Sequence, residues 1–272
     1  MKRLGIALLA LLLLLASYSV IGPYLLEIKN YTITSEQVPP AFDGFKIVFL
    51  SDIHRGPYFS ENRVAKLVYE VNDLNPDMVL LGGDYVHVES KYMPTCFTQL
   101  SKLQSQLKFG VLGNHDYYGG KDLSKYYMAS AGIRCLNNHA VWIARGKQRI
   151  KLGGVGDLEE DVQDLSPTIR NAKPSDYVIL LSHNPDYAET LFSDNVDLVL
   201  SGHTHGGQIA FFGLWTPVNK SNYGRKYLTG LVQAPHTQVL VSNGIGTVIV
   251  PIRFGARPQI VEITLKHKAV KK

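Results

Sequence analysis

Only two cysteines, Cys96 and Cys135, occur in 272 residues, and neither stands in a CxxC spacing or beside a histidine motif. That excludes a zinc ribbon and leaves open whether the two pair outside the cell or stay as buried thiols. Neither a Walker A loop nor a GxGxxG fingerprint follows any predicted strand, so the common nucleotide cradles are missing. The stretch "GGVGD" at 153–157 is too weak to replace one. No internal repeat, low-complexity segment or second domain boundary breaks the chain. Net charge is +5 with pI near 9.0, which suits an anionic partner without selecting one. Basic residues form no phosphate-tracking run, which counts against nucleic acid. In the tail "LKHKAVKK", Lys266, Lys268, Lys271 and Lys272 read as a frayed, solvated end.

Hydrophobic residues, by contrast, make up 45% of the chain, ample for a buried core. The N-terminus has no charge from Leu4 to Leu26. Those residues, at 1.5 Å each, give a helix of about 34 Å, enough to cross a hydrocarbon layer. Lys2 and Arg3 ahead of it favour a cytoplasmic N-terminus and an exported remainder. A cleaved signal peptide with a small-x-small site at "SYS" is the rival. The apolar stretch continues past that site, so a retained anchor is preferred. Residues 1–28 are assigned to the anchor or signal and 29–272 to one catalytic domain.

Beyond that segment "YTIT" suits an edge strand, and "FKIVFLSD" a buried one. Ser60 can cap a helix whose apolar positions Val64, Leu67, Val68 and Val71 fall at i, i+3, i+4 and i+7, with Asn75-Pro76 stopping it. "DMVLLGGD" is a second strand, and "FGVLGNHD" a third after a helical stretch near 94–106. "YVILLSHNP" and "VDLVLSGHTH" repeat the theme. The last third, "QVLVSN", "GTVIVP" and "QIVEITL", reads as strands with glycine turns. Apolar strands alternating with crossover helices predict parallel α/β layers.

Five of these strands end in polar clusters: Asp52 and His54, Asp84, Asn114 and His115, His183, and His203 with His205. In open α/β sheets ligands bind beyond the carboxyl ends of strands, so these groups are expected on one rim. A lone Asp there is usually a turn former, and a lone His a satisfied imidazole. Five clusters in series are different, because burying that many imidazoles and carboxylates together is costly without compensating cations. Nitrogen and oxygen donors without thiolate suit borderline divalent metals such as Mn, Fe, Co, Ni or Zn.

The order Asp-x-His, Gly-Asp, Gly-Asn-His-Asp, His, Gly-His-x-His resembles the calcineurin-like metallophosphoesterase superfamily, from about Phe45 to at least Gln208. The closing "NGIGTVIVPIRFGARPQI" is similar to the bacterial membrane-linked phosphodiesterase branch. The resemblance implies a four-layer αββα sandwich holding two divalent ions about 3.5 Å apart, with Mn favoured. Carried over motif by motif, Asp52, His54 and His205 hold the first ion, Asn114, His183 and His203 the second, and Asp84 bridges them. A hydroxide shared by the ions then attacks phosphorus, and His115 stabilises charge or protonates the leaving alkoxide. Asp116 is left between capping the next segment and orienting a ligand.

Departures narrow the class. Protein phosphatases of this superfamily carry Gly-Asp-x-Val-Asp-Arg-Gly, where this chain has "GGDYVHVES". His87 stands for the Asp that orients the catalytic histidine, and Val88 for a phosphate-binding Arg. A purple acid phosphatase would place a tyrosine ligand at His87. The expectation is therefore a phosphodiesterase at the cell envelope, acting on a phosphorylated small-molecule, lipid or cell-wall substrate. The alternatives are a UDP-2,3-diacylglucosamine pyrophosphatase and, in another class, a silent envelope-binding module stabilised by metal. Arg55, Arg253 and Arg257 read as solvated loop residues, with phosphate contact as the alternative. "FFGLWTP" at 211–217 reads as packed core, with an aromatic lip as its alternative. No oligomeric state is legible.

Overall fold

A computed structural model of the chain describes residues 2–211 and 215–269. Helix α1, Lys2–Ile21, leads into strand β1, Glu27–Ser35, through a short 3₁₀ turn. Every described residue of α1 is exposed except half-buried Ser19, and Lys2–Tyr24 has a mean hydropathy of 2.5, long and apolar enough to cross a membrane.

The remaining elements alternate in type. They run β2 (Lys46–Leu50), α2 (Glu61–Asp73), β3 (Met78–Leu81), α3 (Met93–Leu100), β4 (Leu107–Gly110), α4 (Asn114–Ser130) and β5 (Arg134–Cys135). Then follow β6 (His139–Arg145), β7 (Gln148–Gly154), α5 (Ser166–Ile169), β8 (Val178–Leu181), α6 (Tyr187–Thr190) and β9 (Leu198–Ser201). Three strands close the chain: β10 (Gly230–Gln233), β11 (Gln238–Val241) and β12 (Gln259–His267).

Two six-stranded sheets result, ordered β1-β12-β2-β3-β4-β5 and β10-β11-β9-β8-β7-β6. Within each, four consecutive strands are parallel, β2 to β5, met by antiparallel β12 on one side, and β11-β9-β8-β7, flanked by antiparallel β10 and β6. Strand periodicity explains how they stack. Ile47 and Phe49 of β2 and Met78 and Leu80 of β3 share one core with Leu152, Ile179, Leu181 and Leu200 of the second sheet. The alternate residues Val48, Leu50, Val79 and Leu81 face α2, α3 and α4. On the far side Val178, Leu180 and Val199 pack on Tyr187 and Leu191. The protein is therefore an α/β, four-layer αββα sandwich, as expected.

Local signals hold well in the first half. Ser60 accepts from Arg63 N, and Val64, Leu67, Val68 and Val71 form the buried face of α2. Each such side chain contributes about 1.5–3 kcal/mol when fully buried. The strand over "YTIT" sits at the sheet edge, in register Tyr31 to Ile263 of β12. Both cysteines are free.

Three expectations change. "GTVIVP" is not a strand: residues 248–251 form bends, and Ile249 has φ +63°, which a β-branched residue rarely adopts and which no ladder accommodates. The helix expected over 94–106 ends at Leu100. Nor does the tail fray at Lys266, which lies in β12 and pairs with Asp43, while Lys268 pairs with Glu36. Lys271 and Lys272 lie outside the described residues.

Candidate metal centre

The carboxyl ends of β2, β3, β4, β8 and β9 open on one rim, and the backbone immediately beyond them is unusual. Asp52, Asp84, His54, His203 and His205 all have φ between +47° and +68°. Non-glycine residues avoid this left-handed region, at a cost of order 1–3 kcal/mol each, and such outliers cluster at functional sites. Hydrogen bonds hold them there. Asp52 N donates to Gly83 O and His54 N to Asp84 O, both at 3.0 Å, zipping the first turn to the second. His203 N donates to both carboxylate oxygens of Asp52 at 3.1 Å, joining the turns that follow a strand of each sheet.

Small residues let these turns meet. A Cβ on Gly202 would lie 2.0 Å from Ser51 Oγ and 2.1 Å from Asp52 Oδ2, and one on Gly113 would lie 2.4 Å from Asp84 Oδ1. Gly202→Ala is therefore expected to displace Asp52, which isothermal titration with Mn²⁺ would register as loss of one site. Unchanged titration would mean that the turns tolerate separation.

The side chains converge with acceptor facing acceptor. His54 Nε2 lies 3.1 Å from His205 Nε2, and His205 Nε2 lies 3.4 Å from Asp52 Oδ1. Asp84 Oδ2 is 3.4 Å from both His54 Nε2 and His183 Nε2. His203 Nδ1 is 3.3 Å from His183 Nε2. Ligand atoms of Asp52, His54 and His205 lie within 4.8 Å of one another, as do those of Asp52, Asp84 and His183. His183 donates from Nδ1 to Gly82 O at 2.8 Å, which turns Nε2 toward Asp84, where it would offer a lone pair once a cation displaces its proton. Buried Asn114 Oδ1 has no hydrogen-bond partner. An orphaned carbonyl oxygen beside converging imidazole and carboxylate lone pairs fits a cation on each side of Asp84.

Charge follows the same logic. Burial, reinforced by neighbouring imidazoles, holds His54 and His205 well below the usual range, and burial with the His183 charge lowers His203 to about 3. These rings are neutral and keep their lone pairs. Burial raises Asp52 to about 6. For His183 burial opposes protonation, yet Asp84, Asp52 and Asp157 together raise it well above its ordinary value. For Asp84 burial is likewise overcome, and the His183 charge holds it well below the carboxylate range. Carboxylates that hold a proton on His183 are the groups that draw a divalent cation.

Around this cluster, Asp116 caps α4 through Gly113 N at 3.0 Å and also fixes the turn at Asp84 by accepting from Asp84 N at 2.7 Å and Tyr85 N at 3.0 Å. His115 donates from its backbone to Asp84 Oδ1 at 2.9 Å, and its Nδ1 contacts His87 O. The backbone carbonyl of His87 thus occupies Nδ1 and leaves Nε2 to the cleft. Asp84, Asn114, His115, His203, His205 and Lys220 line that cleft, about 640 Å³.

Arg253 is not solvated. It is 1% exposed, donates from Nε to Gly246 O at 3.0 Å and from Nη1 to Ala256 O at 3.0 Å, and approaches His205 Nδ1 at 3.4 Å. The glycine turns that follow β11 fold back over the site and carry carbonyls inward, and the guanidinium answers them. Arg253→Met strands those carbonyls and is expected to lower stability by about 2–3 kcal/mol, read from the urea midpoint. Arg55 is half-buried over the Tyr92 ring at 4.7 Å, and Arg257 is exposed, 3.6 Å from Glu27. Of "FFGLWTP", Phe211 and Trp215 are exposed, not packed core, while 212–214 lie outside the described residues.

Residues 45–207 match the family model described as calcineurin-like phosphoesterase. The chain belongs to the calcineurin-like phosphoesterase family. It is 34% identical to the Bacillus subtilis metallophosphoesterase YkuE over 90% of this chain and 87% of that one. It is 30% identical to the Escherichia coli phosphodiesterase YaeI over 81% and 82% of the two chains. A Bos taurus transmembrane protein with a metallophosphoesterase domain is 34% identical over 85% of this chain and 55% of its own length. As a calcineurin-like phosphoesterase, the chain is a metal-dependent phosphoric ester hydrolase, and its apolar N-terminal helix suggests membrane association.

One residue of this rim escaped the sequence. Asp157 is 1% exposed, its Oδ2 has no partner, and its charge acts on His183. It lies three residues beyond β7, the same strand-end position as the other clusters, inside the "GGVGD" dismissed above.

Proposed function

We propose that the chain is a membrane-anchored phosphodiesterase using two divalent metal ions, with Asp52, His54 and His205 holding one, Asn114, His183 and His203 the other, and Asp84 both. The observation that carries this is the pair of buried triads, Asp52 with His54 and His205 and Asp52 with Asp84 and His183, whose ligand atoms lie within 4.8 Å of one another in each. Bound there, the two cations would supply Lewis acidity, making a water acidic enough to attack near neutral pH and clamping the phosphoryl oxygens. The protein's own residues do the rest. The left-handed turns preset the ligand directions, so little reorganisation is needed at the reacting phosphate. His115, oriented by the His87 carbonyl, presents Nε2 to the departing alkoxide and stabilises or protonates it. Lys220, on the cleft wall, offers a further positive charge to the phosphate.

Mn is the favoured ion. Residues 1–28 serve as anchor, and 29–272 form the catalytic domain outside the cytoplasm. The charge order at the N-terminus, Lys2 and Arg3 before the apolar helix, supports that orientation, and the chain then acts on a phosphorylated envelope component. Hydrolysis of bis-p-nitrophenyl phosphate tests the chemistry. Chelation should abolish it and added Mn²⁺ restore it. Chelator-resistant turnover, or none with any of Mn, Fe, Co, Ni or Zn, would end this reading.

A further inference from the structure

Beside the catalytic cleft runs a second groove of about 500 Å³, and the two share His205, Lys220, Val248 and Ile249. Its walls are apolar: Pro217 and Val218 on one side, Val248, Ile249 and Val250 on the other. Ile249 is 71% exposed and Val218 46%. An apolar loop held open to solvent needs support, and Gln208 provides it. Its Nε2 donates to Val248 O at 3.0 Å and Val250 O at 3.1 Å, and its Oε1 accepts from Val248 N at 2.8 Å. The clamp holds Ile249 at φ +63° with its side chain outward, a strained arrangement that burial of Ile249 does not repay.

The groove continues toward the anchor. Ile209 on its floor is bridged to Phe254, whose ring lies 5.3 Å from Tyr18 and 4.8 Å from Phe211, itself 5.6 Å from Trp215. Arg253 N donates to Ser19 O at 2.9 Å. Tyr18 and Ser19 belong to the apolar segment Lys2–Tyr24, roughly 8 Å short of its end at helical rise. With Lys2–Tyr24 as the anchor of the reading above, the loop would meet it near the boundary of hydrocarbon and headgroups, where residues of the types of the exposed Trp215 and Tyr18 are favoured.

We infer that the substrate is an amphiphilic phosphoester whose hydrocarbon part lies in the groove between Val218 and Ile249 and enters it from the bilayer surface, with its phosphate at the metal cleft. This rests on the phosphodiesterase reading above. An acyl or alkyl chain is the occupant because the apolar groove joins the polar cleft at one end and the aromatics packed on the anchor at the other.

The test uses the full chain in nanodiscs with Mn²⁺ and a series of alkyl p-nitrophenyl phosphates, from methyl to octyl. Water adds to phosphorus, p-nitrophenolate leaves and the alkyl phosphate monoester remains, so one absorbance follows every member. kcat/KM should rise at least tenfold from methyl to octyl, since each buried methylene is worth up to about fourfold. Val218→Asp with Ile249→Asp should flatten that rise, and the milder Val218→Ser with Ile249→Ser carries the same comparison if the aspartates disturb folding. A flat series in the unaltered protein, with bis-p-nitrophenyl phosphate still cleaved, overturns the inference and leaves the phosphodiesterase reading standing. A steep rise that both variants retain reflects partition into the bilayer and also overturns it. Failure to cleave any diester removes the reading beneath.

Discussion

Asp84→Asn should bind fewer than two metal ions and lose nearly all phosphodiesterase turnover, while remaining folded. Asp84 Oδ2 stands 3.4 Å from an imidazole nitrogen on either side, His54 and His183, so its carboxylate faces both halves of the proposed cluster. An amide keeps the shape and removes the charge. The loss should exceed the 10²–10³-fold that follows deletion of a single electrostatic stabiliser, roughly because two ions are weakened at once. Stability of the metal-free protein should fall as well, because the Asp84 charge is paired with the buried His183 charge, which the amide leaves uncompensated. Metal content by inductively coupled plasma spectrometry, assayed beside kcat, reads the effect. Two retained ions would assign the bridge elsewhere.

His115→Asn should behave differently. Its imidazole packs against His54 at 4.7 Å between ring centroids, and Nδ1 is occupied by His87 O, so the ring lines the cleft beside the proposed ligands. Metal stoichiometry is expected to stay at two while kcat falls by about 10²–10⁴-fold, the usual worth of a positioned proton donor. The loss should shrink for diesters with a good leaving group such as p-nitrophenolate, which departs without a proton. Equal loss of metal and turnover would refute the separation of roles, as would a rate penalty independent of the leaving group.

The sequence made the site legible for a topological reason. Apolar strands ending in Asp52, Asp84, Asn114, His183 and His203 could be aligned without knowing the sheet order, because a strand's carboxyl end is readable locally and the parallel arrangement puts such ends on one rim. What failed was whatever depends on long-range closure. The chain after β11 looked like one more strand at "GTVIVP", yet it is a loop pinned by Gln208 from forty residues away. Arg253 looked like a surface residue because the carbonyls that bury it, Gly246 and Ala256, are gathered only when this loop closes. Asp157 was hidden by an unrecognised strand: β6 and β7 pair as a hairpin, and without β7 its strand-end position could not be seen. His87 was read by what it replaces, whereas its backbone carbonyl, which no side-chain pattern encodes, occupies His115 Nδ1.

Anomalous diffraction at the manganese edge, from crystals grown with Mn²⁺, reaches the central question most directly. Two peaks are expected about 3.5–4 Å apart, one ringed by Asp52, His54 and His205, the other by Asn114, His183 and His203, with Asp84 touching both. An empty cleft under saturating metal, or a single peak away from Asp84, would contradict the two-ion phosphodiesterase.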